Sequence, residues 1–279
     1  MEEYMLKNRL NNILFLCLTA CVFSCTSSYK TLTVLHTNDT HSQVESNHIR
    51  LGGYAARMDM IDSLRNIDKN IILVDAGDFL QGTPYYNFYK GIVEINAIKL
   101  MKYDAITLGN HEFDNGVLEL AQLLSQLNLP VICSNYNVQG TPLEPHLKKY
   151  HIIVKNKIKI GIIGLGINPK GLISDKNFEG IMYLDPIISA NTYAQHLKLI
   201  ENCDVIICLS HLGDNSPLVN DIMIASNSKY IDLIVGGHTH KCITDLKVKN
   251  SADEEVTIVQ AGKRGDYLGE VKIKVRSVK

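Results

Sequence analysis

The stretch 106–116, "ITLGNHEFDNG", ends an apolar, strand-like run with an amide, an imidazole and two carboxylates, on Asn110, His111, Glu112 and Asp114. Taking that many hydrogen-bonding and ionisable groups out of water is costly unless something satisfies them, and a divalent metal ion is a single partner able to do so. One short loop cannot supply a full ligand set. The remaining ligands must come from elsewhere in the chain.

Four other apolar runs end in the same manner. "LHTNDTH" (35–41) carries Asp39 and His41, "LVDAGD" (73–78) carries Asp78, "LSHLGD" (209–214) carries His211, and "VGGHTH" (235–240) carries His238 and His240. Any one of them reads as an ordinary turn, an Asx hydrogen bond or a chance pair of histidines. All five, each placed after an apolar run, point to one cleft, because loops converge at the C-terminal edge of an α/β sheet and ligands bind there. Hard oxygen donors mixed with imidazoles suit Zn, Mn, Fe, Co or Mg rather than a structural thiolate site, and the inventory suffices for two ions.

Around these clusters, short apolar runs alternate with longer amphipathic stretches, the pattern of an α/β layered fold. "TLTVLH" leads to "GGYAARMDMIDSLRN", with Ala55, Met58, Ile61 and Leu64 at helical spacing. "IILVDAG" leads to a single helical run "YYNFYKGIVEINAIKLMK", and "DAITLG" to "GVLELAQLLSQL" with Asp114 or Asn115 as the expected N-cap. A hairpin is expected to turn near Asn156 and Lys157, and the last forty residues alternate like antiparallel strands. The elements predict two sheets packed face to face with helices outside.

The 279 residues carry 28 Lys and Arg against 29 Asp and Glu, a balance that offers no basic footprint for duplex nucleic acid. The N-terminus reads separately from this core. "MEEYMLKNRLNN" and the apolar "ILFLCLTACVFS" have the layout of a secretory signal, too short to span a bilayer. "LTAC" and "VFSC" resemble the lipobox of bacterial lipoproteins, which implies lipidation at Cys25 or Cys21, with Cys25 favoured because cleavage there removes the whole apolar run. The expected organisation is a signal at 1–25, a tether at 26–30 and one domain at 31–279. The expected location is the bacterial cell envelope, periplasm or cell surface, held to the membrane by lipid. Of the cysteines beyond the signal, Cys133, Cys203, Cys208 and Cys242, Cys208 reads as a buried apolar residue, and one disulfide is compatible with an oxidising compartment.

The five clusters, together with "AGDFLQGTPYYNFYKG", "YDAITLGNHEFDNG" and "VQAGKRGDYLG", resemble the calcineurin-like metallophosphoesterases, and within them the N-terminal catalytic domain of secreted 5'-nucleotidases, over about residues 31–275. The resemblance implies a four-layered αββα sandwich. It also implies that Asp39, His41 and His240 hold one divalent ion, that Asn110, His211 and His238 hold a second, and that Asp78 bridges them. Asn110 and His111 would contact substrate phosphate, with His111 and Asp114 as the catalytic dyad. His240 departs from the nucleotidase pattern, where Gln or Asn is common, and follows the wider group.

The activity implied is hydrolysis of a nucleoside monophosphate by a hydroxide bridging the two ions. A phosphodiesterase acting on 2',3'-cyclic nucleotides or another phosphoester is the alternative enzyme, and a metal- or nucleotide-binding lipoprotein without turnover the alternative binder. The family's second, C-terminal domain stacks the base, so a separate protein carrying such a domain is an expected partner. "GIIGLGINPKG" lacks the Lys-Ser/Thr of a phosphate loop and reads as a turn. Some of Tyr85, Tyr86, Phe88 and Tyr89 are expected in the core. His36 is expected to be a buried, satisfied histidine, and His48, His146, His151 and His196 to lie at the surface or in local hydrogen bonds.

Overall fold

Two sheets, each with one face against helices and one against the other sheet, organise the chain. The computed structural model describes residues 28–215 and 217–277. The proposed signal, Cys21 and Cys25 lie outside the described residues. Residues Thr31–Val275 form one compact unit.

The strands are β1 (Ser28–Thr37), β2 (Ile71–Asp75), β3 (Ala105–Ile106), β4 (Val131–Ile132), β5 (Tyr136–Asn137), β6 (Leu147–Lys148), β7 (Tyr150–Lys155), β8 (Ile158–Leu165), β9 (Met182–Tyr183), β10 (Val205–Ser210), β11 (Leu233–Gly236), β12 (Cys242–Lys249), β13 (Glu255–Ala261) and β14 (Gly269–Ser277). The helices are α1 (Tyr54–Ile67), α2 (Pro84–Tyr89), α3 (Ile92–Met101), α4 (Val117–Leu124), α5 (Pro186–Leu199) and α6 (Asp221–Asn227). The first sheet has the order β14-β1-β2-β3-β4-β6 and the second β12-β13-β11-β10-β8-β7, with β5 and β9 paired apart.

Side-chain alternation along a strand explains the layers. In β1, Val34 faces the core between the sheets, with Val74, Ile162, Ile207 and Val235, while Leu35 faces the helical layer, with Ile61, Ile95 and Leu120. In β10, Ile207 and Leu209 face the first sheet, whereas Ile206 and Cys208 pack with Ala194, Leu197 and Ile224 of α5 and α6. Both faces of the central strands are therefore apolar, which is why they read as continuous runs. The result is the expected αββα sandwich.

Three details differ from the sequence reading. The single helix expected from 85 to 102 is broken into α2 and α3, because Lys90 and Gly91 adopt left-handed φ of 51° and 95°. Its exposed aromatics, Phe88 at 80% and Tyr89 at 57%, lie outside the core that Tyr86 enters. The N-cap of α4 is Gly116, with no side-chain cap, rather than Asp114 or Asn115; the Asp114 carboxylate is engaged by His111. Among the final strands β12 and β13 do pair antiparallel, but β13 runs parallel to β11, and β14 crosses to the first sheet. Alternation identifies a strand and its buried face but not its neighbour.

The hairpin turns where expected, with φ of 47° at Asn156 and 62° at Lys157 between antiparallel β7 and β8. Cys133, Cys203 and Cys208 are buried and Cys242 exposed, and all four are free thiols, so the compatible disulfide is not formed. His36 is buried, but its Nδ1 has no partner, and burial pushes its pKa down to about 4. The His36 imidazole is thus held neutral, with its Nδ1 unpartnered.

Candidate metal centre

Each cluster sits just beyond a parallel strand: Asp39 and His41 after β1, Asp78 after β2, Asn110 to Asp114 after β3, His211 after β10, His238 and His240 after β11. Because β1, β2 and β3 belong to one sheet and β10 and β11 to the other, the cleft lies where the C-terminal edges of both sheets meet. Gly77 lets the loops approach: at φ 92° it is left-handed, and a Cβ there would stand 2.4 Å from the Gly109 nitrogen.

At the bottom are two buried carboxylates, Asp39 and Asp78, and the buried imidazole of His211. His211 Nε2 is 3.1 Å from Asp78 Oδ2 and 3.9 Å from Asp39 Oδ1. On one side His240 Nε2 lies 3.3 Å from Asp39 Oδ1 and 3.1 Å from His41 Nε2. On the other, His238 Nδ1 lies 3.2 Å from the Asn110 Oδ1. The structure therefore brings all seven expected ligands into one cluster, graded from fully buried carboxylates to the more exposed His240. Five of the seven, Asp39, His41, Asp78, His238 and His240, have left-handed φ between 45° and 70°. Non-glycine residues hold that conformation at a cost of about 1–3 kcal/mol each, and such strain gathers at functional sites.

The cluster fits a cation. His211 Nδ1 donates to the Ala76 carbonyl at 2.8 Å, which leaves Nε2 bearing the lone pair, buried, without a donor and facing carboxylate oxygens. Two nearby anions and an imidazole lone pair repel one another unless positive charge lies between them. The titration behaviour expresses the same demand. Burial disfavours the His211 cation, yet Asp78 and Asp39 push its pKa up to about 10. Burial likewise opposes the Asp78 anion, and His211 overrides it, holding the carboxyl below the usual range. Metal coordination is the alternative way to neutralise this pocket, with His211 then neutral.

His111 and Asp114 stand at the mouth, joined by a 2.9 Å bond from Nδ1 to Oδ2, and both are about a third exposed, 32% and 36%. That bond, opposed by partial burial and aided by the Asp78 charge, pushes His111 up to about 8. Asn177 Nδ2 donates to the Asp114 carbonyl at 2.7 Å and steadies the dyad's loop.

Sequence reasoning assigned no role to several residues that shape the centre. Asn38 donates to Asp39 Oδ2 at 2.7 Å and to the Gly262 carbonyl, and accepts from the Ala261 amide, tying the Asp39 loop to the end of β13. Gln260 donates to the Gly237 carbonyl and accepts from the Lys241 amide, while Asp214 accepts from Thr239 and Lys241; together they brace the His238–His240 loop. Glu112, inside the opening motif, is buried and accepts four backbone N–H bonds. Burial and the Asp78 charge raise its pKa, while the four backbone donors oppose that rise by favouring the ionised form. The signal for Glu112 was a second carboxylate beside His111 in a cluster already read as taken out of water.

The family model for the calcineurin-like phosphoesterases matches residues 32–242. The chain belongs to that family. Calcineurin-like phosphoesterases are metal-dependent hydrolases that use two divalent ions, in keeping with the His/Asp cluster here. Among curated relatives, a 5'-nucleotidase of Diplobatis ommata is 34% identical over 87% of this chain and 45% of its own length. The trifunctional nucleotide phosphoesterase YfkN of Bacillus subtilis is 31% identical over 87% of the chain and 18% of its own. Among solved structures, the 5'-nucleotidase precursor of Thermus thermophilus superposes with a TM-score of 0.81 at 31% identity, over 88% of this calcineurin-like chain and 51% of the other. The chain spans about half the length, or less, of the curated relatives it matches. No helix among the described residues is long and apolar enough to cross a membrane.

Proposed function

We propose that this chain is the catalytic part of a phosphomonoesterase of the 5'-nucleotidase kind, releasing phosphate from nucleoside monophosphates. The observation that carries the reading is the convergence, from five loops, of His41, Asn110, His211, His238 and His240 on the buried Asp39 and Asp78 carboxylates, with the His111–Asp114 pair alongside. Asp39, His41 and His240 would hold one ion and Asn110, His211 and His238 the other, with Asp78 contributing to both. When bound, the two ions supply Lewis acidity toward the phosphoryl oxygens and make a nucleophile of water. His111, kept cationic by Asp114, donates a hydrogen bond to a phosphoryl or leaving-group oxygen and offsets the charge developing there. Asn110 orients the same phosphoryl group.

The name of the 31% identical YfkN, a trifunctional nucleotide phosphoesterase, favours keeping more than one phosphoester activity in view, and the alternative kept here is cleavage of 2',3'-cyclic nucleotides. Turnover of an aryl phosphate with and without chelator tests the hydrolase reading, and a panel of AMP against 2',3'-cyclic AMP decides the substrate. Chelator-insensitive or absent hydrolysis overturns the proposal.

The domain is assigned to 31–279, preceded by a lipoprotein signal whose Cys25, or Cys21, becomes the anchor at the cell envelope. The sequence of 1–25 supports this. Incorporation of labelled fatty acid that survives both Cys25→Ala and Cys21→Ala rules it out.

A further inference from the structure

The carboxylate of Glu112 is surrounded by main chain. Its Oε2 accepts from the amides of Asp78 at 2.9 Å and Gly109 at 2.6 Å; its Oε1 accepts from Phe79 at 2.9 Å and Leu80 at 3.1 Å. Three successive N–H groups turned toward one point make an anion-binding nest, and here the anion is one of the protein's own side chains. Asp78 sits in that nest with a left-handed φ of 57°. The neighbouring residue returns the contact: the His111 amide donates to Asp78 Oδ1 at 2.8 Å, leaving Oδ2 for His211 Nε2 at 3.1 Å.

The structure assigns Glu112 as a positioning residue that locks the loop of the shared ligand Asp78 to the loop of Asn110 and His111, so that the two ions and the dyad keep one register. This rests on the proposed two-metal reading. The argument is geometric. Backbone amides of the β2 loop and of the β3 loop end on the same carboxylate, so neither loop can shift without breaking a buried, charge-assisted bond. The reciprocal bond from the His111 amide fixes which Asp78 oxygen faces which side. An apolar residue in place of Glu112 would leave four buried donors unpaired, and a glutamine would turn an NH₂ group toward two of them.

The test measures binding of Mn²⁺ to metal-free protein by calorimetry, alongside turnover of an aryl phosphate, for the full chain and for Glu112→Gln and Glu112→Asp. Each is taken well below the thermal midpoint of the variant. Loss of a supporting contact behind metal ligands typically weakens metal affinity about 10- to 100-fold. Glu112→Gln is therefore expected to bind the weaker of the two ions about 10- to 100-fold less tightly and to lose a similar factor in kcat. Glu112→Asp, which keeps the charge on a shorter arm, should recover part of both, and it serves as the test should Glu112→Gln not fold.

A merely structural Glu112 would lower the melting temperature but leave both affinities of the folded protein at wild-type values; that result overturns the assignment. So does loss of kcat with unchanged metal binding, which would place Glu112 in the chemistry instead. The metallophosphoesterase reading is judged separately, on the wild type: two bound Mn²⁺ ions without phosphoester turnover refutes that reading while the comparison of isotherms still decides the role of Glu112.

Discussion

At the residue scale the centre separates groups that hold charge from groups that use it. Asp78 lies against His211 and accepts from the His111 amide, so both cleft walls depend on it. Asp78→Asn is expected to abolish hydrolysis and reduce bound metal toward one ion or none, read by metal analysis of the purified protein. Two ions retained in an active Asp78→Asn protein would refute its role. His111 also lies within ligand reach of His41 and Asp78, and the dyad reading, with its Nδ1 bonded to Asp114, is separated from a ligand role by mutation. His111→Ala should keep both ions and lose roughly 10²-fold or more in kcat, the usual effect of removing a positioned acid or charge stabiliser. The pH dependence follows from the same bond. Asp114 raises the pKa of His111, so the cation survives to higher pH than it would alone, and activity that needs it falls as pH rises through that pKa. Asp114→Asn removes the first cause of the rise, so the alkaline limb of kcat/KM should move to lower pH. An unmoved limb would show that His111 does not act as a cation.

At the scale of elements, the features that place the site are short connections under tension. The β2 and β3 loops meet at Gly77, and the left-handed ligand positions follow directly from strand ends that stop at the cleft. Away from the site the same backbone logic gives a separate test. Asn156 and Lys157 both take positive φ, the requirement of a two-residue type I′ hairpin turn, for which Asn-Gly is strongly preferred. Lys157→Gly should stabilise the fold by roughly 0.5–1 kcal/mol, the left-handed penalty of an L-residue less the added entropy of glycine in the unfolded chain. Chemical denaturation would measure it, with activity unchanged because the turn joins edge strand β7 to β8. A loss of stability would mean that the turn is held by the Lys157 side chain.

At the scale of the molecule, stability is linked to protons through His36. Its folded pKa is depressed by burial to about 4, against 6.5 for the ordinary side chain. Above pH 6.5 the residue is neutral in both states and contributes nothing to the pH dependence. Between 6.5 and about 4 the unfolded chain binds a proton that the folded chain refuses, so stability falls with pH, by up to about 3 kcal/mol from this group. His36→Leu should flatten that acid limb in denaturation curves taken between about pH 7 and 4. An unchanged limb would assign the loss to other groups.

What could be read without coordinates was whatever is local and periodic. Apolar runs of strand length mark β1 and β10, helical spacing marks α1, and the polar clusters stand out because each interrupts an apolar run, which is a one-dimensional property. Residues such as Asp39, Asp78, His211 and His240 have a chemistry that is conspicuous wherever they occur, and so the side chains that the fold gathers at the cleft could be picked out. The supporting residues could not. Glu112, Asn38, Gln260 and Asp214 are ordinary polar letters whose meaning comes from the backbone groups they meet, and those groups lie on other strands. The break between α2 and α3 and the crossing of β14 to the first sheet escaped the sequence for a related reason. Periodicity states which face of a segment is buried, whereas the partner that buries it is chosen by packing of the whole chain.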